Sequence, residues 1–198
     1  MPVQLNFFFF YGSIHTYLSV MRIEMLASRL HIDVRWRPFN LRQILIEQNN
    51  TSLAKNQVRL NYNWRDIERR AARLGIPFVG PAPYPVDPDL LALRVGTLSA
   101  VEGWCPEYSK ATFQAWFLER KASGLPDNVA AVLAGLGKPS RETIARATTH
   151  AIDARLEAET DAARQLGIFG SPTFVAGTEL FWGDDRLEDA LAYASPAA

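Results

Sequence analysis

The stretch Asn6-Phe7-Phe8-Phe9-Phe10-Tyr11-Gly12-Ser13-Ile14-His15-Thr16-Tyr17-Leu18 reads as a buried strand, a glycine turn and a helix that begins at Ser13. An unbroken apolar run of this length, without polar alternation, fits a strand covered on both faces. Gly12 punctuates it. Beyond the turn stands a hydroxyl at a helix N-terminus, a place suited to holding an anion brought by another molecule.

Working outward, residues 13–30 carry apolar side chains at Tyr17, Leu18, Met21, Met25 and Leu26, a helical spacing, with Arg22, Glu24 and Arg29 on the other side. Ile32-Asp33-Val34-Arg35-Trp36-Arg37 alternates apolar and charged residues and is stopped by Pro38, which reads as a half-exposed strand. Two parallel strands joined by a helix make a βαβ unit. Residues 41–51 show no strand pattern, and 58–74 return to a helical period. Pro77, Pro81, Pro83 and Pro85 make 76–85 a rigid loop. From 89 to 166 the pattern is helical, with breaks near Pro106, Gly124-Leu125-Pro126 and Gly137-Lys138-Pro139. Thr173-Phe174-Val175-Ala176, a Gly177-Thr178 turn and Glu179-Leu180-Phe181-Trp182 form a hairpin, and a helix through Leu187, Ala190, Leu191 and Tyr193 closes the chain before a frayed tail at 195–198.

The order βαβ, helices, αββα predicts an α/β fold: a thioredoxin-like domain from residues 1–40 and 151–198, with a connecting loop and a large all-helical insertion at 41–150. At 198 residues one core with an inserted lobe is affordable in size. Charges balance at 21 against 21, which argues against a nucleic-acid footprint. Cys105 is the only cysteine and the three histidines are scattered, so neither an internal disulfide nor a metal site is expected. The aromatic N-terminal run has no basic leader region, and no apolar stretch nears the ~20 residues of a membrane span. The expectation is a soluble, cytoplasmic protein with no nucleic-acid or membrane partner.

In a thioredoxin-like fold the strand-to-helix turn carries the C-x-x-C pair. Here that frame reads Ser13-Ile14-His15-Thr16, so both sulfurs are replaced by hydroxyls and disulfide exchange is excluded. Ser13 on its turn, Gly167-Ile168-Phe169-Gly170-Ser171-Pro172-Thr173-Phe174 and Phe181-Trp182-Gly183-Asp184-Asp185-Arg186-Leu187 resemble segments of 2-hydroxychromene-2-carboxylate isomerases and the related kappa-class glutathione transferases. Trp36-Arg37-Pro38-Phe39 and Tyr62-Asn63-Trp64-Arg65-Asp66-Ile67-Glu68-Arg69 are similar to further family segments. The resemblance covers most of the chain and is weakest in the helical lobe.

The resemblance implies a homodimeric, glutathione-dependent isomerase acting on a small aromatic, pyruvate-bearing compound. In it Ser13 faces the glutathione sulfur, and Ser171, ahead of a cis Pro172, pairs through its backbone with the cysteinyl part of the tripeptide. Asp184 and Asp185 match the pair that holds the γ-glutamyl ammonium, Arg59 a lysine near the glycyl carboxylate, and Asn50 a nearby asparagine. Relatives commonly read Asp-Phe-x-Ser-Pro around the serine, where this chain has Phe10 and Ile14 in place of the aspartate and proline.

Each residue also has a plainer reading. Ser13 serves as a helix N-cap, Asp184 and Asp185 as caps of the last helix, Arg59 as a solvated charge, and Pro172 as an ordinary trans proline. Cys105 reads as a small buried apolar residue, and His31 and His150 as surface or core-edge groups. Tyr11 and His15 are assigned to the wall of a flat apolar substrate pocket. Other readings of the same pattern are a kappa-like glutathione transferase or peroxidase, and a non-catalytic thioredoxin-like binding module.

Overall fold

A computed structural model describes residues 4–50 and 56–195. Strand β1 (Gln4–Phe9) runs parallel to β2 (Asp33–Pro38) and antiparallel to β3 (Thr173–Ala176), which pairs in turn with β4 (Glu179–Trp182), giving the sheet order β2-β1-β3-β4. The aromatic run takes the central place because Leu5, Phe7, Phe8 and Phe9 are all fully buried, as a strand covered on both faces requires. β2, with Asp33 and Arg35 exposed, takes an edge, and Pro38 ends it where the missing N–H costs no ladder bond.

Register places Phe7 opposite both Trp36 and Phe174. Its ring stacks on Phe9 at 4.7 Å and Phe174 at 5.3 Å and meets the edge of Trp36 at 5.0 Å. Each such buried aromatic contributes roughly 1.5–3 kcal/mol relative to exposure, so the first strand and the final hairpin hold each other across most of the sequence.

The helix expected over 13–30 is two helices, α1 (Thr16–Val20) and α2 (Ile23–Arg29). The break falls at Met21 and Arg22, where Arg22 leaves helical geometry at φ −132° and its guanidinium reaches Asp184. Where a connecting loop is expected the chain forms α3 (Leu41–Glu47), whose start is capped by the Asn40 side chain accepting the Gln43 N–H. Then come α4 (Gln57–Leu74), α5 (Leu91–Glu102), α6 (Cys105–Leu118), α7 (Pro126–Gly135), α8 (Ser140–Ala147), α9 (His150–Gln165) and α10 (Leu187–Ala194). The mixed sheet and helical insertion are those of a thioredoxin-like fold.

The helical lobe shares the sheet's core. α5 and α9 pack against β2, α2 and α10 pack on the sheet and on each other, and the Tyr17 ring of α1 stacks on Phe117 of α6 at 4.0 Å. Trp64 anchors α4 over the same cluster, 5.8 Å from Phe117 and 6.5 Å from Phe78. The proline-rich loop is pinned beneath it, with the Tyr17 hydroxyl donating to Pro77 O and the Trp116 indole to Pro83 O. That anchoring fixes α4 beside the turn after β1. Among the described residues no helix is long and apolar enough to cross a membrane.

Candidate active site

After β1 the chain turns at Phe10–Ser13, closed by the Ser13 N–H donating to Phe10 O at 3.0 Å. A Cβ at Gly12 would lie 2.6 Å from the Phe10 ring, so only glycine lets the turn fold onto that ring. α1 starts at Thr16, three residues after Ser13, and His15 stands at its cap position without a side-chain capping bond. Ser13 is therefore not a helix cap. Neither does a helix of five residues whose first residue is Thr16 supply the anion-holding terminus expected at Ser13.

The Ser13 hydroxyl instead donates to the Ser171 carbonyl oxygen at 2.8 Å. The Ser171 hydroxyl accepts the Phe10 N–H at 2.9 Å and pairs with the Thr16 hydroxyl at 2.9 Å. Three bonds thus tie the turn after β1 and the first residue of α1 to the loop before β3. The Ser171–Pro172 bond is cis, as expected, and among the described residues no acceptor takes the Ser171 N–H. Beside this loop the Trp182 indole lies so close over Gly170 that a Cβ there would be 2.0 Å from Nε1. Trp182 meets Phe169 edge-on at 4.8 Å, and the pair leaves an exposed apolar ledge next to Ser13's partner loop.

The two aspartates separate completely. Asp184, in a one-turn 3₁₀ helix (Asp184–Arg186), has no exposed surface; Oδ1 accepts from Ser19 at 2.9 Å and Arg22 at 3.1 Å, and Oδ2 from Arg70 at 2.6 Å. With both oxygens occupied it has no room for a ligand ammonium, which corrects the expectation that the pair acts together. The Asp185 side chain is 51% exposed, with Arg186 at 3.3 Å and Arg70 Nη1 at 3.8 Å. Arg70, which the sequence did not single out, thus bridges the structural acid and the accessible one.

His15 is half-buried, and its Nε2 lies 2.6 Å from Asn63 Oδ1 of α4. The Asn63 amide nitrogen donates to Arg59 O at 2.6 Å. Arg59 is exposed in the first turn of α4, where the Asn56 side chain accepts its N–H, and its guanidinium has no partner among the described residues. Asn50 is exposed just past α3, its N–H donating to Leu45 O at 2.8 Å. Residues 51–55, between Asn50 and α4, lie outside the described set.

Tyr11 does not line a pocket. It is fully buried, its hydroxyl 2.7 Å from that of Ser109 and its ring between Phe9, Tyr108 and Phe113, and burial pushes its phenol well above the usual range. Cys105 is buried as expected, and burial pushes its thiol up to about 11. Its thiolate is out of reach near neutrality. Elsewhere a groove of about 770 Å³ runs between β2, α5 and α9, lined by Trp36, Arg155 and Glu159 among others, and includes none of Ser13, His15, Ser171 or Asp185. Among the described residues no cluster of His, Cys, Asp or Glu has metal-binding geometry.

Ser13 is thus tied to Ser171 ahead of the cis Pro172, while His15 and Asp185 each meet α4, through Asn63 and Arg70. Arg59, Asn63 and Arg70 lie on that helix at i, i+4 and i+11, close to whole turns apart. Residues 4–194 match the model of the DSBA-like thioredoxin domain. A 2-hydroxychromene-2-carboxylate isomerase of Pseudomonas putida is 29% identical over 185 residues, covering 92% of this chain and 89% of that protein. A solved structure of a 2-hydroxychromene-2-carboxylate isomerase superposes with TM-score 0.84 at 29% identity, over 96% of this chain and 94% of that one. A probable DsbA oxidoreductase of Streptomyces coelicolor superposes with TM-score 0.71 at 18% identity, over 97% and 89% of the two chains.

Proposed function

The chain belongs to the DSBA-like thioredoxin domain family, and from that premise we propose that it is a glutathione-dependent isomerase of a hydroxychromene carboxylate or benzylidenepyruvate. Its named relatives make it an isomerase of the 2-hydroxychromene-2-carboxylate isomerase kind. The observation that carries the glutathione reading is the Ser13 hydroxyl, held 2.8 Å from Ser171 O in the frame where redox relatives keep a thiol.

The donors present fit a tripeptide thiol. The half-buried Ser13 O–H has one proton to give, and rotation about its C–O bond turns that proton from Ser171 O to an arriving sulfur without moving the oxygen. The same rotation frees Ser171 O to accept an N–H while the Ser171 N–H stands ready to donate, the two-point backbone pairing that an extended peptide makes with an unpaired strand edge. Asp185 offers a carboxylate to the γ-glutamyl ammonium, and Arg59 a cation to the glycyl carboxylate. Between Arg59 and Arg70 the helix rises about 16 Å.

Glutathione, when bound, supplies a thiolate that adds reversibly to a conjugated carbon, permits rotation about the former double bond and leaves unconsumed. Ser13 lowers the thiol pKa from its free value near 8.5 by donating to the charged form. The exposed Phe169 and Trp182 ledge, on the loop that carries Ser171, offers an apolar surface for an aromatic substrate. Turnover of the chromene carboxylate by the purified chain, measured with and without glutathione, tests the reading. Equal rates in both would remove the cofactor, and no turnover in either would remove the substrate.

A further inference from the structure

The geometry points to His15 as the proton-transfer residue of the isomerisation, with Asn63 as the positioning residue that fixes which imidazole nitrogen does it. This rests on the proposed chromene carboxylate substrate.

Asn63 cannot present either end of its amide to the imidazole indifferently. Its nitrogen donates to the Arg59 carbonyl, which can only accept, so the oxygen must face His15. An amide oxygen accepts only. His15 Nε2 therefore carries the hydrogen across the 2.6 Å contact, and in the neutral ring the lone pair sits on Nδ1. Nδ1 has no partner among the described residues, in a half-buried side chain two residues from Ser13. One nitrogen is thus tied to a helix of 18 residues, and the other, two residues along the chain from Ser13, is left without a partner among the described residues.

The substrate class needs such a group. A 2-hydroxychromene-2-carboxylate is a cyclic hemiketal, and its double bond cannot change geometry while the ring is closed. Opening moves one proton: Nδ1 takes the proton of the C2 hydroxyl, the electrons of that O–H bond form the ketone, and the bond from C2 to the ring oxygen breaks with its electron pair on the phenolate. The Nδ1 proton then passes to the phenolate oxygen. Atoms and charge balance, nothing is oxidised or reduced, and the imidazole returns to its starting tautomer.

The tautomer is tested without substrate or glutathione. Long-range proton–nitrogen NMR on the full chain should show His15 with hydrogen on Nε2, while Asn63→Leu gives a mixture and Asn63→Asp, which keeps an acceptor, restores it. A wild-type tautomer with hydrogen on Nδ1 would overturn the assignment. The catalytic role is tested on wild-type turnover, whose absence would defeat the substrate reading and not the tautomer. His15→Ala should lower kcat about 100-fold or more, with glutathione affinity within twofold and partial recovery on adding imidazole. Asn63→Leu should cost about tenfold in kcat, and Asn63→Asp most of it regained. Unchanged kcat in His15→Ala, a loss confined to KM, or no recovery with imidazole would each overturn it.

Discussion

Ser13 and the Asp184–Asp185 pair show how far a residue type alone decides a role. Serine ahead of a helix is most often a cap, yet here the hydroxyl spans 158 positions to a loop carbonyl. Ser13→Ala removes one neutral hydrogen bond from the fold, worth about 1 kcal/mol. Against a thiolate the same donor is worth about 1.5–3 kcal/mol, so kcat should fall roughly 10- to 100-fold while thermal stability shifts by only a few degrees. Steady-state rates beside a melting curve read both effects. The adjacent acids should part in the opposite sense. Asp184→Ala opens a buried hole and leaves Arg22 with only Glu188 and Arg70 with only Asp185, and should cost about 3 kcal/mol, seen as a melting point lower by about 10 °C. Asp185→Ala, at an exposed ion pair, should cost under about 1 kcal/mol and raise the KM for glutathione about tenfold, the pattern expected of a ligand contact.

The elements were legible where the signal was local. The final hairpin has the strands predicted, Thr173–Ala176 and Glu179–Trp182, because a Gly-Thr turn between two apolar runs needs no distant partner. The helical period of residues 13–30 does not reveal the break between α1 and α2, which falls where Arg22 reaches Asp184, 162 residues away. α3 carries only a weak local signal, its cap Asn40 ahead of Leu41, Ile44 and Leu45. For the site, Ser13, Ser171 and the cis proline were readable by resemblance, whereas Asn63 and Arg70 were not, since their roles exist only through α4's docking by Trp64. The loop ahead of β3 depends on a glycine in the same way. Gly170→Ala drives a methyl into the Trp182 indole, so the ring must shift. We expect altered tryptophan fluorescence, native far-UV dichroism and glutathione affinity weakened several-fold; an unshifted emission spectrum would refute the contact.

At the scale of the whole molecule, one core runs from the aromatic ladder of the sheet through the helical lobe, and Cys105 reports on its integrity. With Cys105 2% exposed and its thiol held up to about 11, a thiol reagent at pH 8 should leave the native chain unmodified and label one equivalent in denaturant. Labelling of the native chain at the denatured rate would contradict that burial. The sheet order carries a further consequence. Between α6 and α7, Glu119, Arg120 and Lys121 are exposed, and a break there leaves β1 and β2 on one piece and β3 and β4 on the other. The β1–β3 ladder and the packing of α5 on α8 and α9 then join pieces rather than neighbours in one chain. Residues 1–120 and 121–198 produced as separate polypeptides should find each other, elute together, and reunite Ser13 with Ser171 across two molecules. That outcome would make covalent continuity through the lobe dispensable once the strands have met; fragments that stay apart would show that the lobe must be continuous for the sheet to form.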